Sequence, residues 1–182
     1  KAMIDLVESA CHGMQTITEV TGRLRSMFKD KQVAPQEVLL HRLAVSVVAM
    51  LEETWKGTPP GVSVEIPRAL SVVSNPADIH ILLSNLLRNA MTAAGAEGWV
   101  RVSASQDNEA IRLIIEDDGP GVPEELRESL FEPFVTGRKN GSGIGLALCR
   151  TIVNKRGGVI RTERSERGTT RFTVKMPKGT PE

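Results

Sequence analysis

A chain of 182 residues with 40% apolar side chains can bury a core of its own, which excludes disorder and leaves room for one compact domain plus an appendage. Its 23 Lys and Arg nearly cancel 22 Asp and Glu, leaving a formal charge of +1, so no electrostatic argument points to nucleic acid or an anionic membrane as the main partner. Two cysteines, Cys11 and Cys149, exclude a disulfide framework and agree with a reducing, cytoplasmic setting, and no apolar run approaches the roughly 20 residues that span a bilayer.

No signal-peptide pattern opens the chain, and a start at Lys1 is expected of a fragment with a sensor or anchor upstream. Over residues 2–28, Ile4, Val7, Cys11 and Met14, then Ile17, Val20, Leu24 and Met27, recur at spacings of three and four, which predicts one amphipathic helix. Its narrow stripe suits a helical bundle, and a seam this short suits packing on its own domain equally. The polar stretch at 29–32 and Pro35 close the element, dividing an appendage at 1–32 from a domain at 33–182. A second helix is predicted over 36–55, with Val38, Leu39, Leu43, Val47, Val48 and Leu51 on its apolar side. Short strands follow at 62–66 and 69–73. The most regular helix spans 77–94, with Asn75 as N-cap, Pro76 in the first helical position and Asp78 in the first turn.

Residues 99–105 and 110–116 read as a hairpin around Asp107-Asn108, and the second strand carries apolar residues on both faces, which predicts a central place in the sheet. An irregular stretch runs to about Gly143, after which a helix ends at Lys155-Arg156-Gly157-Gly158, and strands at 159–163 and 169–175 finish the chain. Helices and strands mix without strict alternation, which favours an α+β fold, a two-layer sandwich with helices on one face of the sheet.

Three clusters carry chemistry. Asp117-Asp118-Gly119-Pro120-Gly121 follows the central strand; its first carboxylate can accept a hydrogen bond from an exocyclic amine, and Gly119 and Gly121 allow a tight turn, although such a stretch alone is more often a plain turn. Asn85, Arg88 and Asn89 share one helix face, apt for phosphates and Mg²⁺, although a lone amide pair is first read as a solvated stripe. Gly141-Ser142-Gly143-Ile144-Gly145-Leu146 leads into a helix N-terminus, where free N–H groups attract anions or where the glycines simply form a hinge. Arg138 and Lys139 just before it can neutralise phosphate charge or form a solvated loop.

Taken together and in order, these clusters resemble the motifs of the histidine-kinase branch of the ATPase superfamily that also holds Hsp90, MutL and type II topoisomerases. The likeness covers about 33–177: Asn85 to Ala90 match its N box, Asp117, Gly119 and Gly121 its G1 box, Phe131-Glu132-Pro133-Phe134 its F box, and Gly141 to Leu146 its G2 box. Gly168-Thr169-Thr170-x-Phe172 matches the final element. The resemblance implies the Bergerat fold, ATP and Mg²⁺ as cofactors, adenine held by Asp117 and Thr170, Mg²⁺ on Asn89, Asn85 beside the phosphates, and a lid at 121–141. It also places Val122, Phe134, Thr136, Arg138, Lys139, Gly141, Ser142, Gly143, Ile144, Gly145 and Leu146 around the nucleotide, and makes Asn85, Arg88 and Asn89 the catalytic set.

Three departures bear on the carry-over. Thr92 stands where many relatives have a basic residue, for which Arg88 is the expected substitute, as in kinases similar to the nitrogen-regulation and oxygen-sensing groups. Thr169 replaces a glycine. None of His12, His41 or His80 has the surroundings of a phosphoacceptor, so the accepting histidine is expected on a preceding helix, with residues 1–32 resembling the second helix of a dimerisation hairpin. The resemblance therefore implies a bacterial sensor kinase domain that works as a homodimer through that hairpin and hands its phosphoryl group on to a response regulator receiver domain. The alternative is an ATP-gated switch or clamp, or an anti-sigma-type serine kinase. An amide at Asn85, where clamp relatives carry an acid, counts against the clamp.

Overall fold

A computed structural model describes residues 34–138, 141–164 and 169–179. The helix expected at 2–28, the boundary after 32, and the site candidates Lys139 and Gly168 lie outside the described residues. The described chain opens with strand β1 (Gln36–Leu39) and helix α1 (Leu40–Glu53), followed by β2 (Gly61–Glu65), β3 (Ser71–Ser74) and α2 (Pro76–Ala94). The hairpin β4 (Trp99–Gln106) and β5 (Ala110–Asp117), a 3-10 turn at Glu124–Leu126, α3 (Gly145–Lys155), β6 (Val159–Arg164) and β7 (Thr170–Pro177) complete it.

Five strands form one sheet in the order β2-β4-β5-β7-β6, with β2 parallel to β4 and every other pair antiparallel, while β1 and β3 make a separate ribbon. On the inner face of the sheet Val100, Val102, Ile111, Leu113, Ile115, Phe172 and Val174 are buried, and the three helices lie against that face. The result is the expected two-layer α+β sandwich. β5 is central, as predicted, but only one of its faces is covered: Arg112 is exposed, and Ile114 and Glu116 are half-buried on the other side. Charge pairs run across this open face, Arg101 to Glu65 at 3.2 Å, Arg171 to Glu116 at 2.8 Å and Arg171 to Glu163 at 3.3 Å, so the outer layer is polar rather than a second core.

The helix expected over 36–55 is shorter. Residues 36–39 instead pair antiparallel with Ser71–Ser74, burying Val38, and the helix starts at Leu40, whose N–H donates to Leu70 O at 3.0 Å. Four residues with two apolar side chains fit either period, and here the ladder to β3 outweighs helix extension. At the other end Thr54 Oγ1 donates to Met50 O at 3.0 Å, which closes the helix ahead of Trp55.

α2 follows its sequence signals closely. Asn75 accepts from Ala77 N at 2.9 Å, Pro76 begins the helix, and Gly95 ends it with φ +73°. Ile79, Leu82, Leu83, Leu86, Leu87, Ala90 and Met91 are all buried. Each large one contributes on the order of 1.5–3 kcal/mol by leaving water. That anchoring holds the polar stripe of the same helix in a fixed place. α3 ends in a Schellman arrangement: Gly157 has φ +66° and donates to Asn154 O at 2.9 Å, and Gly158 donates to Val153 O at 3.0 Å. Among the described residues no helix is long and apolar enough to cross a membrane.

Candidate functional site

β5 delivers Asp117 to the end of the sheet on its inner face, where the residue is 1% exposed. Across the β5–β7 ladder its register partner is Thr170, also buried. Burial pushes the Asp117 carboxyl up from its ordinary 3.8 to about 6, even though Gly119 N–H donates to its Oδ1 at 3.1 Å and so favours the charged form. The Thr170 hydroxyl is near enough to favour the carboxylate slightly but is not in hydrogen-bonding geometry, so its Oγ1 is buried without a partner. A buried acceptor beside an orphaned buried hydroxyl is costly for the fold alone and suits a ligand that brings both a donor and an acceptor.

The turn after Asp117 rests on the end of α2. A Cβ on Gly119 would lie 2.7 Å from Ala93 C and O, so only glycine permits this approach. Val122, half-buried, packs against the core just beyond.

One helical turn before Ala93 stands Asn89, half-buried. Its Oδ1 accepts from Arg138 Nη1 at 3.3 Å and its carbonyl accepts from Arg138 Nη2 at 2.8 Å. Arg138 is exposed as a residue, while its guanidinium end is enclosed enough for burial to lower its pKa, an effect that the Asp117 carboxylate opposes. Thr136 steadies the loop, its Oγ1 accepting from Arg138 N at 3.1 Å. Asn85 Nδ2 donates back to Ile81 O at 2.8 Å, and Arg88 is exposed on the same stripe.

The glycine-rich segment closes the third side. Gly143 has φ +66°, and its carbonyl accepts from Phe134 N at 3.0 Å, locking the approach to α3 onto the end of the F box. Ile144, buried, precedes the helix, and no side chain caps the N–H groups of Gly145, Leu146 and Ala147. Such a terminus binds anions. Gly141 and Ser142 lead into it, half-buried. Phe131 packs edge to face on Phe172, with centroids 6.5 Å apart, which ties the F box to β7. Phe134, by contrast, is 70% exposed with φ +68°, so its ring is not part of the core that holds Phe131.

Sequence reasoning missed two contacts. Glu132 accepts from Arg150 Nη1 at 2.9 Å, tying the F box to α3, and Arg138 reaches Asn89 across 49 positions. No local spacing signals either pair. A separate hollow of about 300 Å³ beside Asp107, Arg112 and Lys175 lies at the opposite end of β5 from Asp117 and gathers no converging set of amides, acids and glycines.

Residues 74–180 match the family model described as histidine kinase-, DNA gyrase B-, and HSP90-like ATPase. The chain is 30% identical over 180 residues to the C4-dicarboxylate transport sensor protein DctB of Rhizobium meliloti, covering 93% of this chain and 29% of that one. It is 29% identical over 180 residues to the sensory histidine kinase/phosphatase NtrB of Salmonella typhimurium, covering 90% of this chain and 51% of that one. It thus spans about half or less of the length of these relatives. Among solved structures, the catalytic domain of the histidine kinase ThkA superposes with a TM-score of 0.72 at 32% identity, over 79% of this chain and 95% of that one. ThkA in complex with the response regulator protein TrrA gives 0.74 at 26% identity, over 95% of this chain and 49% of that one. With this fold and these motifs, the chain belongs to the family of histidine kinase-, DNA gyrase B- and HSP90-like ATPases, as an ATP-using catalytic domain of the histidine kinase type.

Proposed function

We propose that this domain binds ATP with Mg²⁺ and passes the γ-phosphoryl group to a histidine on the dimerisation hairpin of a longer, homodimeric protein, for relay to an aspartate of a response regulator. The observation that carries the nucleotide half is the buried Asp117 carboxylate beside the orphaned Thr170 hydroxyl. The adenine amino group supplies a second donor to the Asp117 carboxylate beside Gly119 N–H, and the adjacent ring nitrogen, directly or through water, engages Thr170. The uncapped start of α3, with Arg138 and Lys139, receives the phosphates. Likeness to histidine kinase catalytic domains, one of them solved with its response regulator, supports the transfer half.

The donor set fits Mg²⁺ only in company with phosphates. Among the described residues no three His, Cys, Asp or Glu side chains converge as a metal site, and an amide oxygen such as Asn89 Oδ1 is a hard but single ligand. When bound, Mg²⁺ would supply charge neutralisation at the phosphates. Asn89 Oδ1 accepts from Arg138 with one of its two lone pairs, and a metal on the other would repel the guanidinium toward the phosphates. Asn85 and Arg88 lie on the same stripe, placed to orient the transferring group. With no nucleophile or base required of this domain, positioning and charge neutralisation are its whole contribution.

Removing the amide tests the metal assignment. Asn89→Ala is expected to leave metal-free ADP binding within about threefold of wild type while abolishing the Mg²⁺-dependent gain, a loss of about tenfold or more. Calorimetric titration with and without EDTA reads this directly, and an unchanged Mg²⁺ dependence would remove Asn89 from the metal site. Phosphoryl transfer to a histidine-bearing hairpin tests the function as a whole.

A further inference from the structure

Asp118 is exposed, which on its own reads as a solvated carboxylate in a turn. Its contacts are more specific. Asp118 Oδ1 accepts from Trp99 N at 2.8 Å, and Asp118 N donates to Trp99 O over a longer 3.4 Å. Together these carry the β4–β5 pairing one residue past its last registered pair, Val100 and Asp117. Trp99 in turn follows directly on the corner by which α2 becomes β4, where Gly95 N donates to Met91 O at 3.1 Å and Gly98 N to Gly95 O at 3.2 Å.

The packing around that corner is tight on both sides of Asp118. A Cβ on Gly98 would lie 2.4 Å from Ala94 O and 2.6 Å from Asp118 Oδ1. Gly119, the next residue, leaves no room for a Cβ against Ala93. Ala93 and Ala94 form the last turn of α2, and Asn89 sits one turn before them on the same rigid helix. The Asp118 carboxylate therefore ties the segment that carries Asp117 to Trp99, at the far side of the corner that follows the helix carrying Asn89.

We propose that Asp118 is a positioning residue that clamps the Asp117 turn to Trp99, at the corner following α2, and so helps fix the span between the adenine acceptor and the metal-binding amide. This rests on the reading of Asp117 and Asn89 given above. Without the clamp, Asp117 is still held by the β5 ladder, Asn89 by the buried face of α2 and the turn by Gly119 against Ala93, but the separation of the two is held less narrowly once the tie to Trp99 is gone. The loss falls on the cooperation between adenine recognition and metal-phosphate recognition, more than on either alone. Because linkage is reciprocal, that cooperation is measurable as the factor by which Mg²⁺ tightens ADP binding.

The test titrates ADP into the full chain, with and without saturating Mg²⁺, for the wild type, Asp118→Ala and Asp118→Asn. Asparagine keeps an oxygen that can accept from Trp99 N–H and removes only the charge, whereas alanine removes both. Asp118→Ala is expected to shrink the Mg²⁺ enhancement by about fivefold, within the usual range of coupling between sites. Asp118→Asn is expected to restore it to within twofold of wild type. Amide exchange at Trp99 should accelerate in the alanine variant alone. Three results would overturn the clamp: an unchanged enhancement in Asp118→Ala, an equal loss of affinity with and without Mg²⁺, as a merely structural lesion gives, or an asparagine variant as impaired as alanine. A wild type whose ADP binding ignores Mg²⁺ would instead sink the assignment of Asn89, and the clamp with it.

Discussion

Asp117→Asn is expected to weaken ATP and ADP binding by roughly 10- to 100-fold while making the ligand-free domain more stable. The binding loss follows from losing a charge-assisted hydrogen bond to the adenine amine, a contribution of about 1.5–3 kcal/mol, because an asparagine whose oxygen accepts from Gly119 N–H turns its amino group to the ligand. The stability gain follows from burial. Asp117 is 1% exposed, and its pKa in the fold, about 6, lies above the ordinary 3.8. Between those two values the folded chain holds a proton that the unfolded chain has lost, so stability falls as pH rises through that window and reaches its lower plateau above about pH 6. At neutral pH the ionised carboxylate thus costs the fold on the order of 2–3 kcal/mol. Asparagine carries no such penalty and can still accept from Gly119 N–H, so its melting temperature at pH 7.5 should rise by about 4–12 °C, at about 2–4 °C for each kcal/mol recovered. In the wild type, nucleotide affinity should be flat from pH 7 to 8 and should decline below about pH 6, as the carboxylate takes up a proton, loses its charge and turns one oxygen into a donor. Thermal unfolding and ADP titration on the same two proteins check both halves. A variant that binds ADP normally would remove Asp117 from the adenine site, and a variant less stable than wild type would show that its charge is compensated in the fold.

Gly143→Ala is the second large effect. Gly143 has φ +66°, and a Cβ there would lie 2.4 Å from Phe134 C and 2.6 Å from Phe134 Cα, backbone atoms that cannot rotate aside. The left-handed backbone costs about 1–2 kcal/mol for an L side chain, and overpacking adds about 1–3 kcal/mol more. The cheapest relief is retreat of the F box from the approach to α3, which breaks the Phe134 N to Gly143 O bond and misplaces the N–H groups at Gly145. ADP affinity should therefore fall by about tenfold or more, while far-UV circular dichroism stays near wild type because the sheet and α2 are untouched. Gly157→Ala is the matched control. Its φ is also +66°, but nothing lies within 4 Å of the added Cβ, so it should cost only about 1 kcal/mol of stability and leave nucleotide binding alone. Equal nucleotide affinity in the two variants would rule out the interlock.

What could be read from the residues was whatever depends on local chemistry. Asn75 caps α2 ahead of Pro76, Gly157 and Gly158 close α3, and Asp107 Oδ1 accepts from Ala110 N at 2.7 Å inside the predicted hairpin turn. Each of these is a contact within a few positions, where residue type and spacing are enough. β1 was not legible because Gln36-Glu37-Val38-Leu39 satisfies the helical period as well as the strand period, and only β3, more than thirty residues on, decides between them. The central place of β5 was legible, since the strand pairs with β4 and β7, but the residues alone did not show that its outer side would carry exposed Arg112 and a Glu116 paired with Arg171. At the candidate site the ordered motifs identified the family, while the contacts that join them, Arg138 to Asn89 and Asp118 to Trp99, depend on tertiary placement. Phe134 shows the same limit, since its membership of the F box does not reveal that it is left largely exposed while Phe131 packs on Phe172.

The most direct measurement supplies γ-labelled ATP and Mg²⁺ to the full chain together with a separately prepared histidine-bearing hairpin of the longer protein. Label is expected on a histidine nitrogen of the hairpin, stable to base and labile to acid, dependent on Mg²⁺ and strongly reduced in Asp117→Asn. Tight Mg²⁺-dependent nucleotide binding with no label on the hairpin, whatever the arrangement of the two partners, would contradict the account and leave an ATP-gated switch in place of a kinase.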